Sequence, residues 1–331
     1  MNYFNLFCAL LSFSIVYLGT PHLIRYLKKL GLEVKDQNKR DKPLIPLSGG
    51  LIVVAGVLVG VLVFIFFRTF IIQTKILTTE NLIIVFASLL TISIITFVGF
   101  LDDLLVHKDK ERSGGLNQWQ KPFLTLFAAV PLMVINAGHE VMNLPFFGDI
   151  NFGILYPIFF VPIGVIGAAN MINILGGING VETGMGIIYF GSLGLYAYIN
   201  ESYIAAMFAL MIFSALIAFF YYNKFPAKIF PGDSLTYFLG GSLAVIAIVG
   251  NLEKAALIVS IPFILEFILK LRSKFKAQCY GEYINEKVKT NYKKYYSVIH
   301  FFTNSGKYTE KQIMYFMIGI EIFFSLLIWV I

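Results

Sequence analysis

The chain has 331 residues, of which 58% are apolar, 16% aromatic and only 14% charged, a composition that excludes an ordinary soluble domain of this length. Its formal charge of +7 comes from Lys and Arg confined to short segments between long apolar runs. That is the pattern of a polytopic membrane protein, and no nucleic-acid partner is expected from it.

A membrane span needs about 20 apolar residues, and ten runs qualify: 4–25, 49–67, 83–101, 120–137, 153–172, 185–200, 203–221, 235–250, 255–271 and 313–331. The expected fold is an all-α integral membrane protein of about ten transmembrane helices in one domain, 1–331. Segments 25–48, 103–121, 222–233 and 270–312 hold 23 of the 26 basic residues, leaving Arg68, Lys75 and Lys254 on the other side. Short cytoplasmic loops collect Lys and Arg. Both termini are therefore expected outside, with cytoplasmic loops near 26–48, 102–120, 173–184, 222–234 and 272–312. The first run lacks a basic n-region and a small-residue cleavage site, so it reads as a retained helix. Cys8 lies in that helix and Cys279 in a cytoplasmic loop, so no disulfide or thiolate metal site is indicated.

Unusual chemistry gathers at the cytoplasmic ends of the spans. In DQNKRDKPLIPLSGG (36–50), Lys39, Arg40 and Lys42 read equally as a positive-inside anchor or as ligand contacts. Pro46, Gly49 and Gly50 point to a shaped turn. Asp102 and Asp103 close an apolar helix in GFLDDLLVHK. Adjacent carboxylates there repel each other and oppose the helix dipole, which calls for a cation or a basic group. Lys121 opens the fourth run, where a snorkelling lysine is the ordinary reading. NMINILGGINGVETG (170–184) puts Asn170 and Asn173 on one helical face, followed by glycines that let backbone amides approach an anion. Paired asparagines also serve as interhelical glue, a role that leaves the glycine-rich loop unaccounted for. In FPGDSLTYFLGG, Asp233 stands at a helix N-terminus, where an N-cap is the simple alternative to a ligand. Taken with Asp102, Asp103 and Asn173 it makes an all-oxygen set suited to Mg²⁺ or Mn²⁺.

FLDDLL, NMINILGGINGVETG and FPGDSLTYFLGG, in this order and with IPLSGG near residue 45, resemble the polyprenyl-phosphate N-acetylhexosamine-1-phosphate transferases of glycosyltransferase family 4 type, most of all the eukaryotic and archaeal dolichyl-phosphate enzymes. The resemblance implies transfer of an N-acetylhexosamine-1-phosphate, N-acetylglucosamine by default, from a UDP-sugar to polyprenyl or dolichyl phosphate, with release of UMP at the cytoplasmic face of the bilayer. It implies Asn173 and Asp233 as Mg²⁺ ligands, Asp102 and Asp103 as the essential aspartate pair, and Lys121 as a phosphate-binding lysine. Within that pair Asp102 is the candidate acceptor of a residual proton, and Asp103 is expected to shape the metal's surroundings or to orient Lys121. Asn170 would be a further polar residue of the site, and Gly177, Asn179 and Phe230 would hold the uracil. A homodimer is an expectation of the same kind.

The chain departs from the family at two places. Val106 stands where Asn or Lys is common, which moves any such role to His107 or Lys108. An arginine- and histidine-rich segment after the ninth span is missing, with Arg272 and Lys274 the nearest substitutes. His300 resembles a histidine before the last span of the bacterial members and is a candidate substrate contact, with a structural role the ordinary reading of a lone loop histidine; Glu266 resembles an acidic residue of theirs or is simply a pairing partner for Arg272. The rival class is a transporter or flippase for a nucleotide-sugar or lipid-linked sugar. Its sites lie near the bilayer midplane, whereas the motifs here cluster at the cytoplasmic ends.

Overall fold

The computed structural model describes residues 3–71, 78–105, 115–117, 119–136 and 140–331. The first eight apolar runs are helical: α1 Tyr3–Leu30, α2 Gly50–Phe70, α3 Thr79–Leu105, α4 Gln120–Ile135, α5 Val161–Ile174, α6 Val181–Ile199, α7 Tyr203–Asn223 and α8 Gly232–Gly250. A π-helical turn at Tyr156–Phe160 leads into α5. Among the described residues six helices are long and apolar enough to cross a membrane: α1, α2, α3, Tyr156–Ile174, α7 and α8. The chain is a mostly helical, multi-pass membrane protein.

The ninth run, expected as one span over 255–271, is instead two helices, α9 Glu253–Val259 and α10 Ile261–Leu271. Pro262, in the first turn of α10, has no N–H to continue the ladder of α9. α10 reverses the soluble pattern: Leu265, Ile268 and Leu271 are exposed while Glu266 and Lys270 are buried, as suits a helix with lipid outside and polar protein inside. α11 His300–Thr303 and α12 Glu310–Leu327 complete the chain. Three antiparallel hairpins add to the expected all-helical fold: β1 Glu33–Lys35 with β2 Leu44–Pro46, β3 Val141–Leu144 with β4 Gly148–Asn151, and β5 Glu282–Ile284 with β6 Lys287–Lys289. Strands of three or four residues are too short to impose a readable period on a sequence.

α8 is the centre of the bundle, with nearly all of its residues buried. Its start is held by α2 and α3. Gly49 and Gly50 of the α2 start donate backbone hydrogen bonds to Phe230 and Pro231 at 2.9 and 3.0 Å. A Cβ at Gly99 of α3 would fall 2.6 Å from the Asp233 carbonyl carbon and 2.9 Å from the Ser234 nitrogen, so only glycine lets α3 lie this close. The Asp103 carboxylate accepts from the backbone N–H of Asp233 at 2.7 Å and of Ser234 at 3.2 Å, a capping acid supplied by a neighbouring helix. Helices in lipid associate through such close packing, because burial from water contributes little between them.

Gly99→Val should therefore lower the stability of the detergent-solubilised protein by about 1–3 kcal/mol, the usual cost of overpacking; a melting curve superimposable on wild type would refute the α3–α8 contact. Asp103→Ala should cost about 1–2 kcal/mol as two helix-terminal amides lose their acceptor, with part of the loss recovered in Asp103→Asn. The same thermal unfolding measurement decides it, and equal stabilities of all three proteins would remove Asp103 from the cap.

Candidate functional site

The residues singled out at the end of α3, the start of α4, the end of α5 and the start of α8 form one hydrogen-bonded group. Lys121 Nζ lies 2.6 Å from Asp102 Oδ2 and 2.9 Å from Asp233 Oδ2. Asp102 Oδ1 accepts from the Leu116 backbone N–H. Asn173 Nδ2 donates to Asp233 Oδ2 at 2.9 Å, and the Thr236 hydroxyl donates to Asn173 Oδ1 at 2.8 Å. One turn earlier in α5, Asn170 Oδ1 accepts from the Tyr237 hydroxyl at 3.2 Å. Positions as far apart in sequence as 102 and 233 thus share a single ammonium. Asp103 hydrogen-bonds to the Asp233 and Ser234 amides, because α3 sets it against the open end of α8, and so lies directly behind the expected metal ligand Asp233.

A cavity of about 290 Å³ opens beside this group, with Asn173, Asp233 and Thr236 on its wall. The rest of its lining includes Gly177, Asn179, Phe230 and Tyr280, as well as Asp36 and Asn38 from the turn after β1. These last residues belong to a second polar network. Asn38 Nδ2 donates to the Gly177 carbonyl at 2.6 Å, and Gly281 N–H donates to Asn38 Oδ1 at 3.1 Å. Asn179 N–H donates to Glu310 Oε1 at 2.9 Å, and Asn179 Nδ2 donates to Asp36 Oδ2 at 3.1 Å. Lys39 pairs with both acids, 3.2 Å from Asp36 Oδ2 and in contact with Glu310 Oε2. Sequence reasoning singles out neither Asp36 nor Glu310. The available signal is a DQNK cluster rich in acceptors and donors just before the Pro46 turn.

Gly177, Asn179 and Phe230 therefore lie with Asn173 and Asp233 on one cavity, as the motifs imply. Arg272 and His300 do not line it. The Arg272 guanidinium donates to the Tyr295 carbonyl at 3.2 Å and lies over the Tyr296 ring. His300 is fully buried; it stacks on Tyr292, meets the Gln278 carbonyl at 2.9 Å through Nε2 and accepts the Tyr296 N–H at Nδ1. Burial depresses its pKa below the ordinary imidazole value. Glu266 takes partners other than Arg272: it accepts from Ser297 Oγ at 2.9 Å and Val298 N–H at 2.7 Å, with Lys270 at 3.8 Å. Cys279, buried beside it, has its thiol pushed up to about 12 by desolvation, which makes it unreactive. Val106, His107 and Lys108 lie outside the described residues. From the segment 270–278 that holds Arg272 and Lys274, it is Lys276 and Gln278 that line, together with Lys39, Arg40 and Lys42, a second, basic cavity of about 660 Å³. The two cavities share Gln37 and Tyr280.

No group of three or more His, Cys, Asp or Glu among the described residues is arranged to hold a metal by itself. A hard divalent cation nonetheless fits the chemistry of the donors present. Asp233 is partly open to the cavity, with a quarter of its side chain exposed, and Asn173 Oδ1 keeps a second lone pair beyond the one used by Thr236. One carboxylate and one amide, completed by water and phosphate oxygens, suit Mg²⁺ or Mn²⁺.

Comparison with known proteins places this geometry in a family. Residues 85–251 match the model for glycosyl transferase family 4, a stretch that contains Asp102, Asp103, Lys121, Asn173 and Asp233. A protein of Saccharolobus solfataricus, provisionally named UDP-N-acetylglucosamine–dolichyl-phosphate N-acetylglucosaminephosphotransferase, is 36% identical across 96% of this chain and 94% of its own length. A Sulfolobus acidocaldarius protein of the same provisional name is 33% identical across 97% and 94%. The phospho-N-acetylmuramoyl-pentapeptide-transferase of Listeria monocytogenes is 29% identical across 77% and 78%. The chain belongs to glycosyl transferase family 4, the polyprenyl-phosphate sugar-1-phosphate transferases.

Proposed function

We propose that the chain transfers N-acetylglucosamine-1-phosphate from UDP-N-acetylglucosamine to dolichyl or another polyprenyl phosphate, giving a lipid-linked sugar pyrophosphate and UMP at the cytoplasmic face. The observation that carries this reading is the sharing of Lys121 between Asp102 and Asp233, beside a cavity that Asp233 and Asn173 line together. Near-full-length likeness to two proteins named for that reaction supports the choice of donor and acceptor.

The acceptor phosphate has a second pKa of about 6 and is mostly a dianion at neutral pH. It needs little activation; the difficulty is bringing it against a donor diphosphate that is also negative, so charge compensation and in-line positioning dominate. Asn173 and Asp233 would hold the Mg²⁺, which when bound compensates diphosphate charge and stabilises the departing UMP. Lys121 has three N–H donors, two of them engaged by Asp102 and Asp233, and the third is left for a phosphate oxygen. Asp102, gripped by Leu116 and Lys121, fixes where that ammonium sits, and its Oδ2 takes any residual acceptor proton. Asp103 fixes the first turn of α8, and with it Asp233. The prenyl chain lies in the bilayer with its phosphate at the boundary where α3 and α4 meet the loops.

Membranes containing the protein, given radiolabelled UDP-N-acetylglucosamine, dolichyl phosphate and Mg²⁺, should pass label into organic solvent. Asp233→Asn should reduce that transfer by about 10²-fold or more, and excess EDTA should abolish it. Protein that moves no label and releases no UMP from any UDP-sugar would overturn the transferase reading in favour of transport. The pH profile is a separate check: kcat/KM for the acceptor should fall as pH drops below about 6, where the phosphate gains its second proton. A flat profile down to pH 5 would rule out the dianion as nucleophile.

A further inference from the structure

The two polar networks divide the cavity wall by chemistry. Asn173 and Asp233, with Lys121 bridging to Asp102, form the region that can meet a diphosphate through a cation and an ammonium. The remaining wall holds Phe230 and Tyr280 with the Asp36–Asn179 pair, aromatic rings and hydrogen-bonding groups of the kind that accommodate a planar base.

Selectivity along this remaining wall turns on a single hydrogen bond. A side-chain amide presents a donor at one end and an acceptor at the other, and its orientation is set by its partners. An ionised carboxylate only accepts. Asp36 Oδ2 therefore obliges Asn179 to turn Nδ2 toward it, at 3.1 Å. Asp36 is itself immobilised: Oδ1 accepts the Asn38 N–H at 3.2 Å, Lys39 lies 3.2 Å from Oδ2, and its own N–H donates to the Pro43 carbonyl at 3.0 Å. The Asn179 backbone is pinned by Glu310. No described residue donates to Asn179 Oδ1, which is left as an acceptor for the cavity that Asn179 lines.

We infer that Asp36 is a specificity-determining residue for the donor's base, acting through Asn179: by locking the amide it presents a fixed acceptor to the N3–H of uracil and sets an acceptor against the unprotonated N3 of cytosine. The inference rests on the reading of the cavity as a uridine diphosphate-sugar site. Asp36 is a positioning residue here, since the contact with the base is made by Asn179. The loop 173–184 alone could not supply this selectivity, because an unconstrained asparagine turns over to suit either pyrimidine.

The test is nucleotide binding to the full chain in detergent with Mg²⁺, measured by titration calorimetry with UMP, CMP and 3-methyluridine 5′-monophosphate. Wild-type protein should bind UMP about tenfold or more tightly than either analogue, since a site built around a donor rejects a ligand that lacks it. In Asp36→Asn, whose amide offers Asn179 either a donor or an acceptor, the UMP:CMP ratio should fall to within about threefold. A merely structural Asp36 would weaken both nucleotides equally, and an unchanged ratio overturns the inference. If Asp36→Asn does not fold, Asp36→Ala is read the same way. Failing both, Asp36→Glu, which keeps the accepting carboxylate but displaces it, is read the same way, and equal wild-type affinities for UMP and 3-methyluridine monophosphate overturn the inference. A protein that transfers label and binds UMP without discriminating bases sinks this inference and leaves the transferase standing; one that binds no UMP and transfers nothing sinks both.

Discussion

Three carboxylates, Asp102, Asp103 and Asp233, stand at the boundary between helix and loop around one ammonium, and the rest of the architecture answers to that crowding. Each charge is compensated differently. Asp103 lies against the N-terminus of α8, where two backbone amides donate to it and the positive end of the helix dipole offsets its charge. Asp102 and Asp233 divide Lys121 between them. The set still carries two more negative than positive charges, a balance that favours a divalent cation and opposes a bare phosphate. On the proposed reading, a cation held by Asn173 and Asp233 would supply the charge that a diphosphate needs to approach Asp233, so donor and metal would be recognised as a unit.

The backbone packing serves the same point. Burial from water does not press helices together within lipid, so the position of α8 depends on how closely its neighbours can come. Gly99 brings α3 against the Asp233 backbone, and Gly49 and Gly50 hydrogen-bond to the turn just before α8. The segment that carries Asp233 is thereby held by α2 and, through both Gly99 and the Asp103 carboxylate, by α3. A site that must place a leaving group in line with an attacking phosphate gains from such rigidity, because misplacement by an ångström costs orders of magnitude in rate.

Most of this frame is legible in the residues. The apolar runs reappear as helices, and the aspartate pair, the two asparagines of α5 and Asp233 meet where the distribution of basic residues says the polar ends gather. Pro262 marks the break between α9 and α10, yet its apolar surroundings conceal it. What stays hidden depends on long-range pairing. Asp36 and Glu310 each lie more than a hundred residues from Asn179, and each looks ordinary alone; Glu310 follows the Thr309 of a capping box and passes for a helix-start acid. Glu266 and Arg272 look like partners because both are charged and near in sequence, but α10 turns Glu266 inward to Ser297 and Val298 while Arg272 reaches Tyr295. Local spacing cannot reveal which way a short amphipathic helix is rolled when lipid, not water, lies outside.

The charge network and the Asp36–Asn179 network are built on the same two pieces of chain. Asn173 and Asn179 flank one glycine-rich turn, while Phe230 and Asp233 flank the Pro231–Gly232 turn; all four side chains line the cavity. Spacing between the phosphate-facing and base-facing groups is therefore set within six residues of one segment and three of the other. On the proposed reading, a nucleotide is measured by length as well as by the identity of its two ends. Changing selectivity for the sugar then has to come from elsewhere. The loops that bear Arg40, Lys42 and Lys276 line a separate cavity that shares Gln37 and Tyr280 with the first, so these three can vary in charge and shape while Lys39, paired with Asp36 and Glu310, stays part of the uridine diphosphate frame.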